Sequence, residues 1–315
     1  MSDHNCPEIS VVIPTRNRSG YLEECLSSLK NEIDETVQVY VIDDGSCYKE
    51  KKKNSGLCDK FGFNYHNSSK NRGMAVARNT GIKLSHSRWI AFLDDDVVVK
   101  NGWFDGCKEV VGDLHGDILG VEGEVEGSGE GLWDREVENL SGGLFITCHI
   151  LYRRSILEMV GGFDEAFEYL GPFCEDQEIA VRILQHGKII FSPRIQAVHL
   201  PRDIRLMALL KNSKKRIRGL LRAERYFYNK HPGRYRDFRS ADTFGGTYRS
   251  VLLRHTVNAV RRRKIKNLLR KPFQTFTLLN SALLEQLWAW VLIAEIVTEK
   301  KVKKKDSCTQ PDWSK

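Results

Sequence analysis

Short apolar runs and helical stripes alternate along the first hundred residues. Ile9 to Ile13 (ISVVI) is β-branched and nearly all apolar, the mark of a strand buried on both faces, with Pro14 expected to end it. Ser19 is positioned to cap a helix over about 20–30, where Leu22, Leu26 and Leu29 share a face. Val37 to Ile42 predicts a second strand, stopped by Asp43-Asp44-Gly45-Ser46. Residues 47–60 are Lys-rich and polar, a solvated helix or loop. Phe61 to His66 predicts a third strand, Gly73 to about Ser85 a helix, and Trp89 to Leu93 a fourth strand ending in Asp94-Asp95-Asp96. Buried strands alternating with helices at this spacing predict right-handed βαβ units and a mainly parallel sheet flanked by helices.

Beyond residue 117 the pattern loosens. Leu119 to Val125 alternates like a strand, Gly127 to Gly131 is expected to be mobile, and Phe145 to Tyr152 is a further strand candidate. Asp176 to Gly187 predicts a helix, with strands at Lys188–Phe191 and Gln196–His199. After Arg202 apolar residues recur at helical spacing among Lys and Arg: Leu206, Leu210, Ile217, Leu220, Leu221 and Phe227 form one such stripe, ended by Pro232. Further basic helices are predicted over 247–270 and 273–298, the latter holding Trp288 and Trp290. The expected organisation is a catalytic domain over 1–202, a basic amphipathic helical region over 203–299 and a disordered charged tail over 300–315.

Charge follows the same division. The 315-residue chain has net charge +8, but residues 1–201 carry 21 basic and 32 acidic side chains, whereas 202–305 carry 27 basic and 7 acidic. An acidic body joined to a strongly basic region suggests an anionic partner for the latter. With 41% hydrophobic residues there is enough apolar surface for a core. Met1 to Glu8 shows no basic-then-apolar leader, and no run approaches the about 18 uninterrupted apolar residues of a spanning helix. Eight scattered cysteines, without a Cys-x-x-Cys pair or zinc spacing, predict free thiols in a reducing cytosol.

The chemistry lies at the predicted strand ends, where open parallel sheets bind ligands. Strand one ends in Pro14-Thr15-Arg16-Asn17-Arg18, strand two in Asp43-Asp44, strand four in Asp94-Asp95-Asp96. Several carboxylates on one turn repel unless a cation lies between them, and hard oxygens suit Mg²⁺ or Mn²⁺.

These segments occur in order with Asn71-Arg-Gly-Met-Ala-Val-Ala-Arg-Asn-Thr-Gly81, Tyr152-Arg-Arg-Ser-Ile-Leu, Val-Gly-Gly-Phe-Asp-Glu-Ala-Phe and Cys-Glu175-Asp176-Gln-Glu-Ile-Ala-Val-Arg182. From residue 9 to about 202 the chain resembles the family 2 glycosyltransferases and their GT-A fold. The resemblance implies an inverting transfer of a sugar from a nucleotide-sugar, UDP by default, to a hydroxyl acceptor. Pro14, Thr15 and Arg16 would frame the nucleotide base, and Asp44 would bond base or ribose. Arg78 would lie near the nucleotide, with the positive end of the helix beginning near Gly73 lent to phosphate. Asp94 and Asp96 would form the DxD element around a divalent metal, Mn²⁺ or Mg²⁺, with Asp95 also among the donor contacts. Asp96 would ligate the metal, Asp94 would contact ribose or the metal's water, and His199 would be a further metal ligand or phosphate contact. Asp176 would be the catalytic base, with Glu175 its rival. Gly142-Gly143 and His149 stand where the family often has a Gly-rich segment and an asparagine, which is absent here. Trp103 and Trp133 could stack on a sugar or lie in the core.

The resemblance implies a glycan or lipid-linked acceptor in surface glycan or glycolipid assembly. Two amphipathic readings of 203–299 stand side by side: attachment to an anionic membrane surface, or packing on the catalytic domain or a second copy. Nucleic acid is not expected, since no finger, RRM or helix-turn-helix signature is present. The implied location is cytoplasmic, peripheral to the membrane if the first reading holds. A nucleotidyltransferase should show a Gly-rich phosphate loop with lysine after strand one, and Pro14 to Ser19 has none. A degenerate sugar- or lipid-binding protein on this scaffold should have lost Asp96 or Asp176, and both are present.

Overall fold

The computed structural model describes residues 8–238, apart from 115, 129–133, 136, 171–172 and 204–205. The helices predicted over 247–270 and 273–298, the tail, and Trp133 lie outside the described residues.

The first half is a repeated strand–helix alternation: β1 (Ile9–Thr15), α1 (Ser19–Glu32), β2 (Gln38–Asp43), α2 (Tyr48–Phe61), β3 (Asn64–Asn67), α3 (Met74–Leu84), β4 (Trp89–Leu93), β5 (Val97–Val99) and α4 (Trp103–Asp113). It continues through β6 (Ile118–Gly127), β7 (Asp134–Arg135), β8 (His149–Arg153), α5 (Arg154–Met159), α6 (Phe167–Leu170), α7 (Glu175–Ile183) and β9 (Lys188–His199). The last described elements are β10 (Arg202–Asp203), α8 (Leu206–Lys230) and α9 (Tyr235–Phe238).

Eight strands form one sheet in the order β3-β2-β1-β4-β8-β6-β9-β5. The β3-β2-β1-β4 side is wholly parallel, as the alternation predicts, because each crossover carries a helix. The other side is mixed. β8 runs antiparallel to both β4 and β6, and β5 antiparallel to β9. On this side only β6 and β9 pair in parallel. A separate two-stranded ribbon pairs Arg202-Asp203 with Arg135-Asp134.

Several boundaries differ from the sequence reading for local reasons. Pro14 stays in β1, which runs to Thr15. The solvated 48–61 stretch is a helix closed by Gly62 in the left-handed region (φ 75°), so Phe61 ends α2 and the next strand starts at Asn64. Ser19 is the first helical residue, and its amide is met by Glu50 Oε2 at 3.0 Å. β8 starts at His149, not Phe145, because Glu122 gathers the amides of residues 143–145 into a turn. α7 ends at Ile183. The two strands expected over 188–199 are one strand with an irregular register opposite Gly123 and Glu124.

The core has two layers around the sheet. One face buries Leu22, Leu26 and Leu29 of α1 with Trp103 and Cys107 of α4. The other buries α3 and α7 against Val12, Phe92 and Tyr152. α3 lies so close to β1 that a Cβ on Gly81 would stand 2.2 Å from Val12 Cγ1. A third cluster joins Phe167 and Val181 to Ala223 and Phe227 of α8. The basic helix thus packs on the body of the sheet at its C-terminal end.

Candidate active site

Parallel strands β1, β2 and β4 end on one edge of the sheet, and their polar residues converge there. Asn17, in the left-handed region (φ 55°), clamps the first two ends together. Its amide donates to Ser46 Oγ (2.8 Å), and its side-chain oxygen accepts from the Cys47 amide (2.7 Å). Asp43 accepts from the Ser46 amide, Asn54 and Tyr65 (2.7, 2.8 and 2.8 Å), so it builds the loop. Asp44 accepts from the amides of Arg72 and Gly73, each at 2.7 Å.

At the start of α3, besides the two amides on Asp44, the Ala75 amide donates to Glu168 Oε1 (2.6 Å). Carboxylates from the loop after β2 and from α6 therefore stand at the helix end that the resemblance offers to phosphate.

The acidic triplet after β4 splits its side chains. Asp94 turns to Arg78 Nη2 at 3.1 Å. Asp95 is fully buried, accepts from Thr15 Oγ1 (2.6 Å) and pairs with Arg18 (2.5 Å). Burial pushes its carboxyl up to about 7, against the pull of Arg18 and Thr15. Asp96 pairs with Arg18 at 3.3 Å and faces His199 Nε2 at 3.6 Å. His199 Nδ1 lies 2.9 Å from the Leu200 carbonyl, which orients the ring with Nε2 toward Asp96. Among the described residues no group of three or more His, Cys, Asp or Glu side chains stands ready to hold a metal. Asp96 and His199 meet, while Asp94 points elsewhere. Their oxygen and imidazole donors suit a hard divalent cation with positions left open to phosphate and water.

Across from the triplet stands α7. Arg78, 3% exposed, reaches Asp94, Asp176 Oδ1 (3.5 Å) and Glu175 Oε1 (3.7 Å). Burial opposes its charge, but Asp176, Asp94 and Glu175 more than offset this and hold the guanidinium firmly protonated. Burial, then the charge of Asp176, raises Glu175 to about 8. Asp176 is also raised by burial, but Arg78 and the amide and hydroxyl of Thr147 pull it back. Asp176 is the more open of the two, with 24% of its side chain exposed against 11% for Glu175. Of the two, Asp176 alone receives the hydrogen bonds of Thr147, which favour a charged carboxylate.

Pro14 and Thr15 are buried at the β1 end and Arg16 is exposed at its tip. Trp103 is core: it is 1% exposed and donates Nε1–H to His149 Nε2 (2.8 Å). Three residues of the site were not singled out from sequence. Arg18 neutralises Asp95 and Asp96, Thr147 orients Asp176, and buried Glu122 accepts from the amides of Gly143, Leu144 and Phe145 (2.6, 3.1 and 2.6 Å). Only Arg18 left a signal, an arginine just past the first strand end.

Fold and site together define a glycosyltransferase architecture of the GT-A type. The described structure is similar to a Pyrobaculum calidifontis mannosyltransferase, PcManGT, solved in complex with GDP-Man and Mn²⁺ (TM-score 0.54, 16% identity, 90% of this chain and 88% of that one). It is also similar to S. aureus TarS 1-349 in complex with UDP-GlcNAc (TM-score 0.51, 18% identity, 71% and 72%). Residues 10–161 match the model of the Glycosyl transferase family 2. A pre-mycofactocin glycosyltransferase of Mycobacterium tuberculosis is 30% identical over 210 residues, 61% of this chain and 42% of that protein. Glycosyltransferase GlyG of Streptococcus pneumoniae is 30% identical over 118 residues, 35% and 37%. The chain spans about two-fifths of the length of these curated relatives.

Proposed function

We propose that the protein is an inverting glycosyltransferase that moves one sugar from a nucleotide-sugar, with UDP as the default nucleotide, to a hydroxyl acceptor. The observation that carries this reading is Arg78, which holds the acid of the β4 end and the acid pair of α7 against each other. One partly open carboxylate, Asp176, is thereby held opposite the edge where a nucleotide would lie. A sugar hydroxyl has a high pKa and needs its proton removed as its oxygen attacks the anomeric carbon. Asp176 takes that proton, a new C–O bond forms on one face, and the bond to the diphosphate oxygen breaks on the other. One base and one displacement give inversion. Burial, which raises Asp176, brings its basicity nearer to working pH.

Pro14, Thr15 and Arg16 frame the base of the donor, and Asp44 and Asp95 shape its loops. The solved neighbours carry GDP-Man with Mn²⁺ and UDP-GlcNAc, which supports a nucleotide-sugar donor. Asp96 and His199, with Asp94 nearby, would hold a divalent cation, Mn²⁺ or Mg²⁺. His199 Nε2 and Asp96 Oδ1 stand 3.6 Å apart, an imidazole nitrogen and a carboxylate oxygen that one cation could share. Such a cation would offset the charge of the departing nucleoside diphosphate. The acceptor is a glycan or lipid-linked hydroxyl in surface glycan or glycolipid assembly, met at an anionic membrane surface by the basic region after residue 203.

The test is a screen of nucleotide-sugars for hydrolysis and transfer with Mn²⁺ or Mg²⁺, followed by Asp176→Asn. Transfer should fall by about 10²–10⁴ with donor binding nearly intact. Loss of both together would remove the base assignment.

A further inference from the structure

Glu178 lies on α7 in the same turn as Asp176, yet it faces away from the sheet edge and is fully buried. Its carboxylate takes Arg182 Nη2 at 2.6 Å, Lys230 Nζ at 2.8 Å and His231 Nε2 at 3.0 Å. Burial works against its charge, but Arg182, Lys230 and His231 together hold its carboxyl below the ordinary value. Arg182 also donates to the carbonyls of Val160 (2.5 Å) and Gly162 (2.7 Å), which ties the loop before α6 to the same knot. Lys230 reaches on to Asp164 (2.5 Å), which also accepts from the Tyr226 hydroxyl (2.9 Å).

A surface helix needs no such anchor. Burying a carboxylate with its partners is costly and rarely repaid in stability alone, whereas breaking such a set by removing one member is strongly destabilising. Lys230 and His231, from α8 and its C-terminal end, arrive at the turn that begins with Glu175 and Asp176, where the Glu178 amide closes on the Cys174 carbonyl at 2.9 Å. Both α7 and α8 lie beyond the family-matched segment of residues 10–161. Glu178 and its partners Arg182, Lys230 and His231 thus come from a part of the chain that the family match does not cover.

We infer that Glu178, held by Lys230 and His231, is a positioning residue for Asp176, so that docking of the α8 end completes the catalytic unit. This rests on Asp176 being the base. Placement matters because a displacement of about 1 Å at a reacting group can cost on the order of 10²-fold in rate.

The experiment uses the full chain carrying Lys230→Met with His231→Leu, which leaves the Glu178–Arg182 pair in place. A second variant, Lys230→Arg with His231→Gln, keeps hydrogen-bond donors at both positions. Amide hydrogen exchange and transfer kinetics are read together. In the first variant the amides of Glu178 to Ala180 should exchange at least tenfold faster, with β1 and β4 unchanged. Its kcat should fall at least tenfold with donor Kd within twofold, and the second variant should recover most of both. Wild-type exchange in α7, or wild-type kcat despite faster exchange, would overturn the inference. So would a common fall of sheet protection, donor affinity and kcat, which marks general destabilisation. A wild-type chain that transfers nothing from any nucleotide-sugar would instead sink the proposed function, and the exchange result would still decide whether α8 seats α7.

Discussion

At the scale of single residues the site is a matter of which acid keeps its proton. Arg78 is one buried cation shared by three carboxylates, so it cannot hold all of them ionised equally. Thr147 breaks the tie, because both its amide and its hydroxyl donate to Asp176 and neither serves Glu175. Hydrogen bonds to a carboxylate favour its charged form, so Thr147→Val should raise the Asp176 pKa further. A base must be ionised to act, so the acid limb of the kcat profile should move to higher pH. Measuring kcat from pH 5 to 9 checks this; an unmoved limb would show that Thr147 does not tune the base. The acids themselves were legible in the sequence, since carboxylates clustered at the end of an apolar strand add nothing to its packing and repel one another. Thr147 and Arg18 were not, because their partners stand 29 and 77–78 positions away and only folding brings them together.

At the scale of elements, β6, β8 and α4 meet around one neutral imidazole. His149 accepts from Trp103 on α4 and its other nitrogen lies 3.1 Å from the Glu124 carbonyl on β6. The fit depends on Gly123, where a Cβ would stand 2.2 Å from the ring. Burial lowers His149 from 6.5 to about 4. In this window the unfolded chain binds a proton and the folded chain does not, so stability should fall as pH drops from about 6.5 to 4. The full shift corresponds to roughly 3 kcal/mol. Urea unfolding at pH 7 and pH 4.5 should show this loss, and His149→Gln should reduce it; an equal loss in the variant would point to other groups. The parallel strands were legible because burial on both faces writes a continuous apolar run. The mixed side was harder. β5 has only three residues, and the 145–148 segment is as apolar as a strand but is turned by Glu122, 21–23 positions upstream of the amides it gathers. The carboxylate at the start of α3 was not legible for a related reason: Glu168 stands 93 positions after the Ala75 amide that it accepts from.

At the scale of the whole molecule the charge boundary and the structural boundary do not coincide. Charge changes sign near Arg202, yet α8 beyond it supplies Ala223 and Phe227 to a core cluster, and its C-terminal end brings Lys230 and His231 to Glu178. The C-terminal end of α8 packs on the body of the sheet, and the proposed membrane contact is tested on the residues past 238. Among the described residues no helix is long and apolar enough to cross a membrane. Basic clusters at Arg261 to Lys264 and Lys300 to Lys305 lie past residue 238. Each charge near an anionic surface contributes about 1 kcal/mol, so losing several should weaken vesicle binding by orders of magnitude. A cut at 203 would also remove Phe227 and Lys230, and would confuse lost attachment with lost folding. A chain ending after Phe238 separates the two. It should keep its thermal unfolding transition and its transfer to a soluble acceptor, while its binding to phosphatidylserine vesicles falls at least a hundredfold in sedimentation at low salt. Raising the salt should weaken binding of the full chain in the same direction, as screening requires. Unchanged vesicle binding by the shortened chain would remove the membrane from the proposed function and leave the basic region to a second copy of the chain or to the acceptor itself.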